Sequence, residues 1–256
     1  MTSAIIAHRG ASQDAPENTL AAIHLAWKQN ADAVEMDVHA SKDGHVVVIH
    51  DATTRKTAGV RRKVASQTLA ELQALDVGNW KAPKWKGQRI PTLADVLATV
   101  PPRKRLFVEI KCGPECLTRL AEEVRGSGLQ SDQVVPIGFA LDTMSELKRI
   151  CPELTVCWIA EFKRTLRGWK PRAEQLIAQA RKAGLDGLDL SGRGPVDRTF
   201  ADKVHAAGLQ LYIWTVDSPE RAWELFDAGV DGITTNRPGW LREQLENRSR
   251  GRRTLA

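Results

Sequence analysis

Two pairs of charged residues set the first chemical expectation. Glu35-Met36-Asp37 places carboxylates two positions apart inside an apolar run, and Glu109 and Lys111 repeat that spacing within RLFVEIK. Residues two apart on a strand project to the same side, so each pair shares a face. Three carboxylates aimed at one place repel unless they are protonated or bound to a cation. A hard divalent ion that favours oxygen ligands, Mg2+ or Ca2+, is the simple way to neutralise them. Taken singly, each acid reads as a salt bridge to Arg9 or Lys111; as a set, Glu35, Asp37 and Glu109 point to a metal site.

Histidine is the usual proton carrier near neutral pH, and the chain has six. His8 ends the apolar run AIIAH, and His50 ends HVVVIH just before Asp51. Both fall close to the carboxylates in the topology the pattern implies. His24 and His205 lie in helical stretches and read as surface residues, while His45 faces a hairpin. His39 follows Asp37 by two and stays open as a possible site residue.

These residues need elements to hold them. AIIAH at 4–8 reads as a short strand, and Pro16-Glu17-Asn18-Thr19 opens a helix running to about Gln29. A strand at 32–38 is followed by the turn signal Lys42-Asp43-Gly44 and the β-rich run at 45–50. The pattern loosens from 52 to 90, where Trp80 and Trp85 stand among glycines and prolines, so this is an insertion. Pro91-Thr92-Leu93 starts a helix to about Val100. Thereafter strands and helices alternate, with helices at 115–126, 142–150 and 171–183. The pairs Ala183-Gly184, Ala207-Gly208 and Ala228-Gly229 each end a helix and launch a strand. Eight strands, near 4, 32, 105, 133, 154, 185, 209 and 230, imply a parallel sheet closed into a (β/α)8 TIM barrel. An open doubly wound sheet is the alternative. In a barrel the chemistry sits at the C-terminal strand ends, where His8-Arg9-Gly10, Glu35, Asp37, Glu109 and Lys111 are expected.

At 256 residues, 42% hydrophobic and 27% charged, the chain fits one barrel domain over 1–256 and no disordered or fibrous class. No apolar run approaches the roughly 18 residues of a membrane helix, so no stable membrane insertion is expected. The start MTSAIIAHRG lacks the pattern of a secretion signal, and a cytoplasmic location follows as an expectation. Cys112, Cys116, Cys151 and Cys157 have neither zinc-knuckle nor redox-motif spacing and read as free thiols. The net charge of +6 is concentrated at Arg61, Arg62 and Lys63 and in a basic tail at about 247–256, read as a solvated, frayed end.

The ordered series His8-Arg9-Gly10, Pro16-Glu17-Asn18-Thr19, Glu35-Met36-Asp37 and Asp43 through Asp51 resembles the glycerophosphodiester phosphodiesterase family. Val108-Glu109-Ile110-Lys111, Trp214-Thr215-Val216-Asp217 and Gly229 through Pro238 continue the resemblance to the basic tail. It implies hydrolysis of glycerophosphodiesters to sn-glycerol 3-phosphate and an alcohol. By position it implies Glu35, Asp37 and Glu109 as metal ligands and His8 and His50 as general acid and base. It further implies Arg9 and Lys111 as phosphate contacts and Trp214 as a wall of the substrate pocket. The family route runs through a cyclic phosphate, and direct attack by water stays open beside it. Gly138-Phe139-Ala140 departs from a serine-phenylalanine pair common in the family, which bears on substrate preference.

Other readings are a related barrel phospholipase of the sphingomyelinase D kind, and a non-catalytic phosphate-binding protein. The insertion argues against the first, although Trp80 and Trp85 would suit a lipid-facing loop. No nucleic-acid partner is expected, since no such motif appears and the basic residues are not interleaved with aromatics. A small-molecule partner is expected, and a homo-oligomer is possible.

Overall fold

Short apolar runs separated by amphipathic segments produce eight parallel strands, each followed by a helix. The computed structural model describes residues 3–253 apart from residue 167. The strands are β1 (Ala4–His8), β2 (Ala33–Ala40), β3 (Arg105–Ile110), β4 (Val134–Gly138), β5 (Cys157–Ala160), β6 (Gly187–Ser191), β7 (Gln210–Trp214) and β8 (Gly232–Thr235). Each pairs in parallel with the next, and β8 pairs back onto β1, so the sheet closes into the expected (β/α)8 barrel. The open-sheet alternative is thereby excluded.

The helices are α1 (Leu20–Lys28), α2 (Leu93–Leu97), α3 (Leu117–Gly126), α4 (Leu141–Ile150), α5 (Ala173–Lys182), α6 (Arg198–Ala206), α7 (Pro219–Ala228) and α8 (Pro238–Arg253). Their apolar faces and the outward residues of the strands form one continuous buried layer. Inside the barrel, Ile6, Phe107, Val135, Cys157, Ile159 and Tyr212 pack together, with Phe107 and Tyr212 edge to face at 4.9 Å. This plug fills the middle of the barrel, with Asp189 the register partner of its Ile159 and Tyr212.

Several boundaries differ from the sequence reading for physical reasons. Helix α1 begins at Leu20, not Pro16, because Thr19 is its N-cap, its side chain accepting a hydrogen bond from the Ala22 N–H. The strand expected from 154 begins at Cys157. Residues after β5 form a two-stranded hairpin, Lys163–Thr165 against Gly168–Lys170, which the charged sequence there did not suggest. The basic run read as a frayed end is assigned to α8 as far as residue 253. Residues 254–256 of the expected tail lie outside the described residues.

Strand β2 runs on into an antiparallel pairing with Val46–Val48, the hairpin announced by Lys42-Asp43-Gly44. Segment 52–90 then folds over this hairpin, with Val64, Leu72, Val77 and Ile90 packed against Val47 and Ile49 as a satellite core. Lys56 reaches Glu17 at 2.7 Å and Lys81 reaches the Ser12 carbonyl at 2.8 Å, which ties the segment to the loop after β1.

Candidate active site

Strand register assembles the acids. His8 stands opposite Glu35 across β1 and β2, and Asp37 stands opposite Glu109 across β2 and β3. All four occupy inward positions above the apolar plug. One carboxylate oxygen from each of Glu35, Asp37 and Glu109 lies within 4.8 Å of the others, and all three residues are buried. The expected convergence of the three is what the fold produces.

The loop after β1 supplies the first cation. Arg9 adopts a left-handed backbone, φ 56°, and Gly10 follows at φ 80°. A Cβ on Gly10 would stand 2.5 Å from the Ala22 carbonyl carbon, so only glycine fits this turn against α1. The turn aims the Arg9 N–H at Glu35 Oε2 (2.9 Å) and its guanidinium at Asp37 (3.1 Å) and Glu17 (3.0 Å). Lys111 reaches the cluster from β3, with Nζ 2.5 Å from Glu109 Oε1 and 3.3 Å from Asp37 Oδ1. Arg9 and Lys111, expected as phosphate contacts, are thus at the site and engaged with its carboxylates.

Two cations against three acids leave the cluster one negative charge in excess, and the titration shifts distribute it. Burial pushes the Asp37 carboxyl up, but Arg9 and then Lys111 outweigh it and hold the group below its ordinary value. Glu35 is pushed well up by burial and then by Asp37 and Glu109. Burial and Asp37 likewise raise Glu109 to about 7. Glu35 Oε1 is buried with no hydrogen-bond partner. A carboxylate oxygen orphaned beside two others suits cation binding, and an all-oxygen donor set fits a hard divalent ion.

The histidines are held at the rim by separate devices. His8 Nδ1 lies 2.7 Å from Asn236 Oδ1, and Asn236 donates in turn to Asp217 Oδ2 at 2.6 Å. Ser12 also donates to Asn236 Oδ1, at 2.9 Å, so that oxygen is an acceptor and the His8 proton sits on Nδ1. Nε2 is left with its lone pair, 4.0 Å from Glu35 Oε2. Burial, and then the Arg9 charge, lower the His8 pKa to about 4. His50 follows the Ile49 N–H bond to the Asp37 carbonyl (3.0 Å), and its Nδ1 lies 2.7 Å from Asp51 Oδ1.

His39 resolves as a supporting residue whose Nε2 lies 3.0 Å from the His50 carbonyl oxygen. His24 and His205 are exposed on helices, and His205 bonds Asp231 at 2.9 Å. Trp214 lies at the end of β7, edge to face with Phe139 at 5.7 Å. Phe139 is half exposed at the same rim, beneath Lys111 Nζ at 5.8 Å. The four cysteines are free.

Further groups had no role in the sequence reading. Asn18 is buried and grips Asp37 twice, donating to Oδ2 (2.8 Å) and accepting from its N–H (3.2 Å). Asn236 with Asp217 fixes His8, and Asp51 fixes His50. Asp189 points into the barrel, buried, with Oδ1 unpartnered and its carboxyl pushed well up by burial and then by Glu109. All but Asp189 stand in a stretch quoted for its pattern, and the signal available was that a histidine ring or buried carboxylate needs a second partner.

Comparison with known proteins bears on this arrangement. Glycerophosphodiester phosphodiesterase of Caldanaerobacter subterraneus subsp. tengcongensis is 31% identical over 246 residues, covering 94% of this chain and 97% of the relative. A phosphodiesterase of Oleispira antarctica, solved in complex with the product sn-glycerol-3-phosphate, is 27% identical with a TM-score of 0.86, covering 96% and 97%. Glycerophosphodiester phosphodiesterase of Agrobacterium tumefaciens superposes with a TM-score of 0.78 at 27% identity, covering 95% and 100%. Residues 8–240, from the first rim histidine to the first turn of α8, match the glycerophosphoryl diester phosphodiesterase family, and the chain belongs to that family of enzymes.

Proposed function

We propose that the chain hydrolyses glycerophosphodiesters to sn-glycerol 3-phosphate and an alcohol, with His8 and His50 as the proton-transfer pair and a divalent cation as cofactor. The observation that carries this reading is the orphaned carboxylate oxygen of Glu35 beside Asp37 and Glu109, at a rim shared with two separately oriented imidazoles. Glu35, Asp37 and Glu109 would hold Mg2+ or Ca2+, which when bound supplies positive charge against the developing charge on the phosphoryl oxygens.

The chain's own groups then divide the work. His8, kept neutral by burial and presenting Nε2, takes the proton from the attacking oxygen. His50, oriented by Asp51, gives a proton to the departing alcohol oxygen as the P–O bond breaks. Arg9 and Lys111 stand where a phosphate anion can share them with the carboxylates. Trp214 and Phe139 form an apolar wall beside Lys111.

In this reading residues 1–256 are one barrel domain, with 52–90 as an insertion over the site. Among the described residues no helix is long and apolar enough to cross a membrane. The four free thiols support a reducing, cytoplasmic setting. The test is to incubate the purified protein with glycerophosphocholine and identify products: sn-glycerol 3-phosphate and choline are expected. Release of phosphocholine and glycerol, or no cleavage of any glycerophosphodiester, would refute the assignment.

A further inference from the structure

The large hydrophobic side chains exposed among the described residues are Trp80, Phe139, Leu166 and Trp240. Each follows the C-terminal end of a barrel strand: Trp80 in the segment after β2, Phe139 directly after β4, Leu166 at the tip of the hairpin after β5, and Trp240 in the first turn of α8. They therefore emerge from the face that carries the active site. Leu166 is fully exposed, and behind it Trp169 sits half-buried opposite Arg164 across the hairpin.

Charge is polarised the same way. Segment 52–90 has nine basic residues against two acidic ones, and segment 161–172 has five against one. With a total of +6, the rest of the chain carries a net charge of −5 even with the four arginines of the C-terminal run, which stand at the far end of α8. Cations also sit over the aromatics: Lys81 over Trp80 at 5.9 Å, Lys84 over Trp85 at 5.1 Å and Arg237 over Trp240 at 4.9 Å. Apolar tips ringed by lysine and arginine, with tryptophan between them, match a surface of anionic headgroups above an acyl layer.

We propose that this face docks peripherally on an anionic lipid bilayer, with Leu166 as the inserted tip and the two basic excursions as its flanks. Charge complementarity selects anionic lipid, and the exposed Leu166 separates a bilayer from a polyanion such as nucleic acid, which offers nothing apolar to that tip. Docking would turn the active-site mouth toward the membrane surface without any spanning helix.

The test is co-sedimentation of the full chain with vesicles of phosphatidylglycerol and phosphatidylcholine in equal parts, against phosphatidylcholine alone, near physiological salt and at high salt. Binding to the anionic vesicles alone is expected, falling at high salt. Leu166→Glu, and separately the double variant Lys163→Glu/Arg164→Glu, should each weaken it about tenfold or more. Arg252→Glu at the opposite end of α8 should leave it unchanged. Thermal unfolding of each variant at the wild-type temperature shows that the fold is intact, and the more conservative Leu166→Ser should weaken binding in the same direction. Absence of binding to anionic vesicles, binding indifferent to Leu166, or equal retention on duplex DNA would overturn the proposal.

Discussion

Asn236 Oδ1 lies 2.7 Å from His8 Nδ1, although 228 positions separate the two residues. The contact closes the barrel chemically where β8 meets β1, and Asp217 fixes the Asn236 amide so that only its oxygen faces the ring. His8 is thereby restricted to one tautomer, with Nε2 unprotonated and turned to the acids.

If the tautomer matters, Asn236 is a positioning residue. Asn236→Leu should lower kcat about 10- to 100-fold while leaving KM within about threefold. Asn236→Gln should recover part of the loss. A KM effect alone, or a pH–rate profile unmoved in Asn236→Leu, would leave Asn236 with a merely structural part.

The His8 ring should titrate near 4, below its ordinary 6.5, because burial and the Arg9 charge both oppose the imidazolium. The unfolded chain then binds more protons than the folded one between 6.5 and 4, so this group's contribution to stability falls as pH drops through that window. Glu109, raised to about 7, works in the opposite sense over an overlapping range. The difference in unfolding free energy between wild type and His8→Gln, measured with chelator present, isolates the histidine. It should shift in favour of the variant by on the order of 3 kcal/mol from pH 7 to pH 4. NMR titration of the His8 ring gives the same answer directly, and a midpoint near 6.5 would refute it.

Asp189 makes a separate stability prediction. Its folded carboxyl is raised, so it costs stability as pH climbs above the ordinary carboxylate range and the buried group resists ionising. Asp189→Asn should therefore raise unfolding free energy at neutral pH by about 1 kcal/mol and flatten its pH dependence on the alkaline side. Denaturant unfolding at two pH values checks this. A loss of stability at both would show that the carboxyl has a partner in the folded protein.

The barrel was legible because Ala-Gly helix ends and short apolar strands recur, as at Ala228-Gly229, where the glycine caps α7 in the left-handed region. Glu35, Asp37 and Glu109 were legible because alternation fixes which strand residues point inward, whatever the exact register. The supports were not: Asn236 and His8 meet through ring closure, a long-range contact that no local period encodes. The hairpin at 163–170 also escaped, since two three-residue strands of mostly polar side chains carry no apolar alternation. The pairing of Arg9 and Lys111 with the acids was one of the readings the sequence offered, and in space both cations do stand against the carboxylates.

In the proposed function Glu35, Asp37 and Glu109 hold a divalent cation on which turnover depends. The direct measurement is sn-glycerol 3-phosphate release from glycerophosphocholine by chelator-stripped enzyme, before and after adding Mg2+ or Ca2+. Wild type should recover at least about 100-fold on addition, whereas Glu35→Gln and Glu109→Gln should stay near the stripped rate. Undiminished turnover in chelator, or full recovery by either variant, would show that these carboxylates hold no catalytic cation.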